Sequence, residues 1–186
     1  MIDPLDGTKE FIKKNGEFTV NIALIENNKP VWGVVYAPVL GWTYHGGTLT
    51  GNALKVPEQG ESNIQVAKLP TQDETWQVVG SRSHQSPEFA EFVKQFALSD
   101  IISMGSSLKQ CLVAEGAAHI YPRLGLTSEW DTAAADAVLR GAGGQCLQVP
   151  SLEPVTYNLK ENILNPYFIC CSEVSNDWIG AVKAEN

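Results

Sequence analysis

The chain has 186 residues and a formal charge of −8, a length that suits one domain or one and a half and a surface that repels duplex nucleic acid, with no basic stripe to offset it. Hydrophobic residues at 44 % and charged residues at 18 % make a globular mixture and exclude a disordered chain. No apolar run approaches the roughly 18 residues of a membrane span, and the first residues lack the basic, apolar, small-residue order of a secretion signal.

Pro4 excludes a regular helix around residues 3–6, and Thr8 is placed to cap a short helix over residues 9–13. Residues 18–26 and 31–37 are rich in β-branched and aromatic side chains, and Asn27-Asn28-Lys29-Pro30 between them reads as a hairpin turn. A short strand is predicted at 42–45, then turns and a sheet edge through 46–63. Thr71-Gln72-Asp73-Glu74 reads as a link, dividing the chain into residues 1–72, the remainder of an antiparallel-sheet domain, and residues 73–186, an α/β domain. In the second part, strands are predicted at 77–81, 101–104, 118–121 and 167–171. Helices are predicted at 87–97, with Ser86 as cap and Pro87 in the first turn, at 106–115 closed by Gly116, at 131–141 ended by Gly143-Gly144, and at 175–184. Strands first, then strands alternating with helices, make this an α/β (α+β) chain. The four cysteines lack metal-ligand spacing and read as reduced core thiols of a cytosolic protein. Cys170 and Cys171, if on a strand, point to opposite faces.

Chemistry concentrates in residues 3–8, Asp-Pro-Leu-Asp-Gly-Thr. Asp3 and Asp6 are hard oxygen ligands of the kind Mg²⁺ prefers, and Leu5 between them can offer its carbonyl. Gly7 lets the amide approach a ligand closely, and a helix starting at Thr8 offers an anion site, with the Thr8 hydroxyl free to bond an attacking water. A calcium loop of the EF-hand kind is excluded, because Leu5 stands where an oxygen ligand is needed. Asp131, in Trp130-Asp131-Thr132-Ala133-Ala134, reads either as a helix cap or as a third metal carboxylate. The small residues at 133–135 would let that helix end approach the first motif.

Asp-Pro-Leu-Asp-Gly-Thr-Lys-Glu-Phe together with Trp-Asp-Thr-Ala-Ala resembles the inositol monophosphatase superfamily of Mg²⁺-dependent, lithium-sensitive phosphatases. Lys9-Glu10-Phe11, Ser81-Arg82-Ser83-His84, Gly105-Ser106-Ser107-Leu108-Lys109 and Tyr121-Pro122-Arg123 resemble, within it, the 3′(2′),5′-bisphosphate nucleotidases. The resemblance implies a layered αβαβα sugar-phosphatase fold lacking its N-terminal helices and first strands. It implies removal of the 3′-phosphate of adenosine 3′,5′-bisphosphate, a by-product of sulfate assimilation, to give AMP by two-metal activation of water. Asp3, the Leu5 carbonyl, Asp6 and Asp131 resemble the Mg²⁺ ligands. Thr8 and Asp6 resemble the catalytic pair, and Gly7 and Thr8 the phosphate-binding amides. Ser106, Lys109 and Arg123 resemble the nucleotide pocket and His84 a residue near the adenosine, so that Leu5, Asp6, Gly7, Thr8, His84, Ser106, Lys109, Arg123 and Asp131 make up the substrate site. His45 and His119 receive no role.

Family members also carry a preceding segment with a Gly-Glu-Glu whose Glu binds metal. Its absence here reads as N-terminal truncation, with Glu10 and Glu17 as substitutes by proximity alone. Two alternatives stay open: a non-catalytic nucleotide- or metal-binding remnant, and an inositol or fructose phosphatase. The expected partner is a small nucleotide bisphosphate, without nucleic acid or membrane insertion, and with self-association through an exposed sheet. The expected location is cytoplasmic or peripheral to the inner membrane. Ala135, where the family usually has Gly, either crowds the helix end or has no effect.

Overall fold

A strand carries Asp3 and Asp6: β1 spans Ile2–Asp6, and Pro4 is tolerated because β1 lies at the edge of its sheet, where one side of the strand needs no donor. The computed structural model describes residues 1–81 and 86–183. A short helix, α1 (Thr8–Lys13), follows, and its N-cap is Gly7 with φ 86°, not Thr8. Strands β2 (Thr19–Glu26) and β3 (Lys29–Ala37) form the expected hairpin. Its turn is tighter than predicted: Asn27 and Asn28 both take left-handed backbone, φ 49° and 62°, which matches the twist of a two-residue connection. Strands β4 (Trp42–Gly47), β5 (Asn52–Val56) and β6 (Ser62–Asn63) complete a six-stranded antiparallel sheet in sequence order.

The second sheet begins with β7 (Trp76–Ser81). Helix α2 (Pro87–Val93) has the predicted Ser86 cap, whose side chain accepts from the Phe89 amide, but ends sooner than predicted. Strand β8 (Ser99–Met104), helix α3 (Leu108–Ala114), strand β9 (Ile120–Arg123), helix α4 (Glu129–Gly141), strands β10 (Gln145–Gln148) and β11 (Phe168–Cys171) and helix α5 (Asn176–Lys183) follow. The strand order is β10-β11-β9-β7-β8, with β7 parallel to β8 and β9 and the other pairs antiparallel.

Alternation along the strands builds two cores. Val79, Tyr121, Phe168 and Cys170 join α3, α4 and the inner face of the first sheet (Ala23, Val35, Ala37, Tyr44, Ala53). Val78, Ile120, Ile169 and Cys171 face α2 and α5 through Phe89, Phe92, Trp178 and Val182. Cys170 and Cys171 therefore do point to opposite faces, and all four cysteines are buried free thiols. The described residues form sheet, helices, sheet, helices in layers. The outer face of the first sheet carries Ile2 (64 % exposed), Ile22, Leu24 and Tyr36 to solvent.

Helix α4 sits between the sheets at unusually short range. A Cβ on Gly33 of β3 would overlap the carbonyl of Ala134, and one on Gly141 would press on Asn52 and Gly47. Ala133, Ala134 and Ala135 are wholly buried, so small side chains on the helix meet glycine on the strand. No helix among the described residues is long and apolar enough to cross a membrane.

Candidate metal and phosphate site

The end of β1 and the start of α4 meet at three carboxylates. One oxygen each from Asp3, Asp6 and Asp131 lies within 4.8 Å of the others. Each carboxylate is aimed by a backbone amide. Asp3 Oδ1 accepts from the Leu5 amide at 3.0 Å, Asp6 Oδ2 from the Ser107 amide at 2.6 Å and Asp131 Oδ2 from the Ser128 amide at 2.8 Å. Asp131 is the third residue inside α4, not its N-cap. Ser128 is the cap, and the two form a reciprocal capping box. The capping and metal readings of Asp131 are therefore compatible, since one oxygen caps and the other is left for the cluster.

Burial pushes the Asp6 carboxyl up to about 6, with the nearby charges of Asp131 and Asp3 adding to the rise and Lys109 opposing it. Asp131 is raised as well, first by burial and then by Asp3, against the Ser128 hydrogen bond. Burial and neighbouring charge thus disfavour the ionised forms of Asp6 and Asp131, and a divalent cation is the ordinary remedy. An all-oxygen donor set fits a hard ion such as Mg²⁺ or Ca²⁺. Among the described residues no Glu joins the cluster. Glu17 Oε2 accepts from the Gly105 amide at 2.8 Å, and Glu10 lies in α1 near Gly105 and Gly7.

Beside the carboxylates opens a cleft of about 260 Å³ lined by Asp6, Gly7, Ser106, Lys109, Arg123 and Asp131, among others. Ser106 takes positive φ, 45°, so helix α3 starts at Leu108 and not at 106. The kink turns the Ser107 amide onto Asp6. Ser106 Oγ and Arg123 Nε are buried without a hydrogen-bond partner, although buried polar atoms rarely stay unpaired; both belong to residues that line the cleft. Arg123 is fixed at its other end by donating to the Leu126 carbonyl at 2.6 Å. Lys109 Nζ donates to the Ser106 carbonyl at 2.6 Å. Burial pulls its ammonium down to about 8, with Asp6 opposing and Arg123 assisting. Thr8 is exposed at the first turn of α1 and Leu5 is exposed beside Asp3. His84 lies outside the described residues. His119 Nδ1 accepts from the Gln77 amide at 2.8 Å, on the far sheet.

Thr19, Asn21 and Ser107 support the site and were not singled out in the sequence. Thr19 and Asn21 are buried on β2 and reach towards Asp6 Oδ2 at 3.4 and 3.5 Å, while Ser107 Oγ bonds both of them. A signal existed: in the alternation of β2, Thr19 and Asn21 occupy inward positions in line with Ala23, where polar side chains need a reason.

Residues 1–176 match the inositol monophosphatase family. The 3′(2′),5′-bisphosphate nucleotidase CysQ of Escherichia coli strain K12 is 49 % identical over 170 residues, covering 90 % of this chain and 65 % of that protein. The protein of the same name from Haemophilus influenzae is 38 % identical over 183 residues, covering 96 % and 65 %. Among solved structures, CysQ from Bacteroides thetaiotaomicron, a bacterial member of the inositol monophosphatase family, superposes with TM-score 0.81 at 42 % identity, covering 93 % of this chain and 69 % of that one. Inositol monophosphatase II of Staphylococcus aureus superposes with TM-score 0.77 at 19 % identity, covering 98 % and 68 %, a likeness of fold. The chain spans about 65 % of the length of the curated relatives it matches.

Proposed function

The chain belongs to the inositol monophosphatase family, and from that premise we propose that it is a Mg²⁺-dependent phosphomonoesterase that removes the 3′-phosphate of adenosine 3′,5′-bisphosphate. Water adds to phosphorus, the bond from phosphorus to the 3′-oxygen breaks, and AMP and inorganic phosphate leave. One observation carries the reading: three converging carboxylates border a cleft whose Ser106 and Arg123 hold unpaired buried donors. Asp3, Asp6, Asp131 and the Leu5 carbonyl would hold Mg²⁺, which when bound supplies positive charge to the phosphate oxygens and acidifies water.

The chain's own residues do the rest. Asp6, fixed by the Ser107 amide, keeps its free oxygen on the reacting side. Gly7 lets the backbone approach the phosphate, and Thr8, exposed beside it, orients the attacking water through its hydroxyl. Lys109 and Arg123 set two cations at one wall of the cleft, which suits a substrate with a second phosphate better than one with a single phosphate. Ser106 donates to the same ligand. His84 belongs to this reading as a contact to the adenosine. Work in the cytoplasm agrees with four free thiols. The open edge of β1 and the apolar outer face of its sheet suit self-association.

The test is phosphate release from adenosine 3′,5′-bisphosphate with excess Mg²⁺. Release is expected to exceed that from inositol monophosphate and to vanish in Asp6→Asn. Faster turnover of inositol phosphate would reassign the substrate, and full activity of Asp6→Asn would remove the metal assignment.

A further inference from the structure

Asp131 is brought to the cluster by the first turn of α4, and that turn is held by a segment more than thirty residues further along the chain. Asn165 is 5 % exposed. Its amide nitrogen donates to the Ser128 carbonyl at 2.9 Å, to Thr132 Oγ1 at 3.0 Å and to Thr127 Oγ1 at 3.2 Å. Its backbone amide donates to the Thr127 carbonyl at 2.8 Å. Two side-chain hydrogens therefore serve three acceptors, and those acceptors bracket Asp131 from residue 127 to residue 132. Thr132 Oγ1 in turn donates to the Glu129 carbonyl, so Asn165 grips both the cap and the first turn.

The neighbouring contacts extend the grip. The Glu129 amide, one of the helix's free donors, is bonded to the Ile163 carbonyl at 2.7 Å. The Glu129 carboxylate, 2 % exposed, accepts from the Asn158 amide at 2.7 Å and from Lys160 Nζ at 2.6 Å. Residues 158–165 form a strap across the start of α4, and its far end is tied separately to the β2–β3 turn, where Asn28 donates to the carbonyls of Tyr157 and Asn158.

We propose that Asn165 is a positioning residue for the carboxylate cluster, acting through Ser128 and Thr132 to set where Asp131 presents its oxygen to a divalent cation. The physical reason is tolerance. Asp131 Oδ2 is committed to the Ser128 amide, so any displacement of Ser128 moves the carboxylate with it. A cation held by few carboxylates is sensitive to such displacement, and outer partners of metal ligands commonly contribute 10- to 100-fold in affinity. The inference rests on the metal reading of Asp3, Asp6 and Asp131.

The test is Mn²⁺ binding by the 186-residue chain, followed by electron paramagnetic resonance well below the melting temperature, without substrate. Asn165→Leu keeps roughly the size and removes the donors without adding a charge; Thr132→Val removes one acceptor and keeps the shape. Both are expected to weaken Mn²⁺ binding about tenfold. Asn28→Ala, which loosens the same strap at its far end, is expected to leave the affinity within about twofold even where it lowers the melting temperature comparably, since outer partners act through the ligand they touch. Equal affinity of wild type, Asn165→Leu and Thr132→Val would overturn the proposal, as would equal losses in Asn28→Ala, which would mark a merely structural strap. Absence of Mn²⁺ binding by the wild type would overturn the metal reading and this inference with it, an outcome distinct from normal wild-type binding that the variants leave unchanged.

Discussion

Lys109 acts in opposite directions on the two kinds of charge that meet in the cleft. Its ammonium lies near enough to Asp6 to lower that carboxyl's pKa, and the same positive charge repels a cation from the carboxylates while attracting an anionic substrate. Lys109→Met is therefore expected to split the two affinities. KM for adenosine 3′,5′-bisphosphate should rise about tenfold, because a hydrogen bond to a charged group contributes ~1.5 kcal/mol or more. The Mg²⁺ concentration for half-activation should fall. Steady-state kinetics over a Mg²⁺ titration reads both; an unchanged KM would place Lys109 outside the substrate site. At this scale the residue types were legible in the sequence: Asp3 and Asp6 stand three apart, and one oxygen of each lies within 4.8 Å of one from Asp131. The supports were not. Ser107, bonded to Asp6, and Asn165, bonded to Ser128, act across 101 and 37 residues, distances at which one sequence offers no periodicity to follow.

Helix α4 is the element on which the site depends, and its place is set by what is missing from its neighbours' side chains. Gly33 has no Cβ at the point where the Ala134 carbonyl crosses β3, and the atoms in the way are backbone rather than flexible side chain. Gly33→Ala is expected to destabilise the fold by about 3 kcal/mol. Gly180→Ala in α5, where a Cβ would meet nothing within 4 Å, is expected to be neutral or stabilising by up to ~1 kcal/mol. Urea unfolding of both variants distinguishes close packing from a general intolerance of change; equal effects would contradict the argument. Ala135 belongs to the same interface and is fully buried within the helix, so its methyl is accommodated by the packing. The core helices and most strands were legible from periodicity and caps. Strand β10 was not, because Gln145-Cys146-Leu147-Gln148 is four residues long, and β1 was masked by Pro4, which an edge strand tolerates.

Across the whole molecule, two sheets enclose α3 and α4, while α2 and α5 cover only the second sheet. The first sheet's other face lines up Ile2, Ile22 and Val34 across three strands, with Leu24 opposite Trp32 beside them. An apolar cross-strand row facing water favours burial against something. Sedimentation velocity on this chain is expected to show dimers or larger species that increase with concentration, and Leu24→Lys to reduce them; a monomer at every concentration would contradict this. The two-sheet plan was legible from strands preceding alternating strands and helices. The close seat of α4 on the first sheet was not, because the aligning feature is the absence of side chains at Gly33 and Gly141.

Three carboxylates from β1 and α4, beside a cleft lined by Lys109 and Arg123, are proposed to make a metal-dependent phosphomonoesterase. The decisive experiment follows inorganic phosphate released from adenosine 3′,5′-bisphosphate by the purified 186-residue chain, with excess Mg²⁺ and with chelator. Release that requires Mg²⁺ and is lost in Asp6→Asn is the expected result. No release above the chelated control, or release that Asp6→Asn leaves intact, would contradict it.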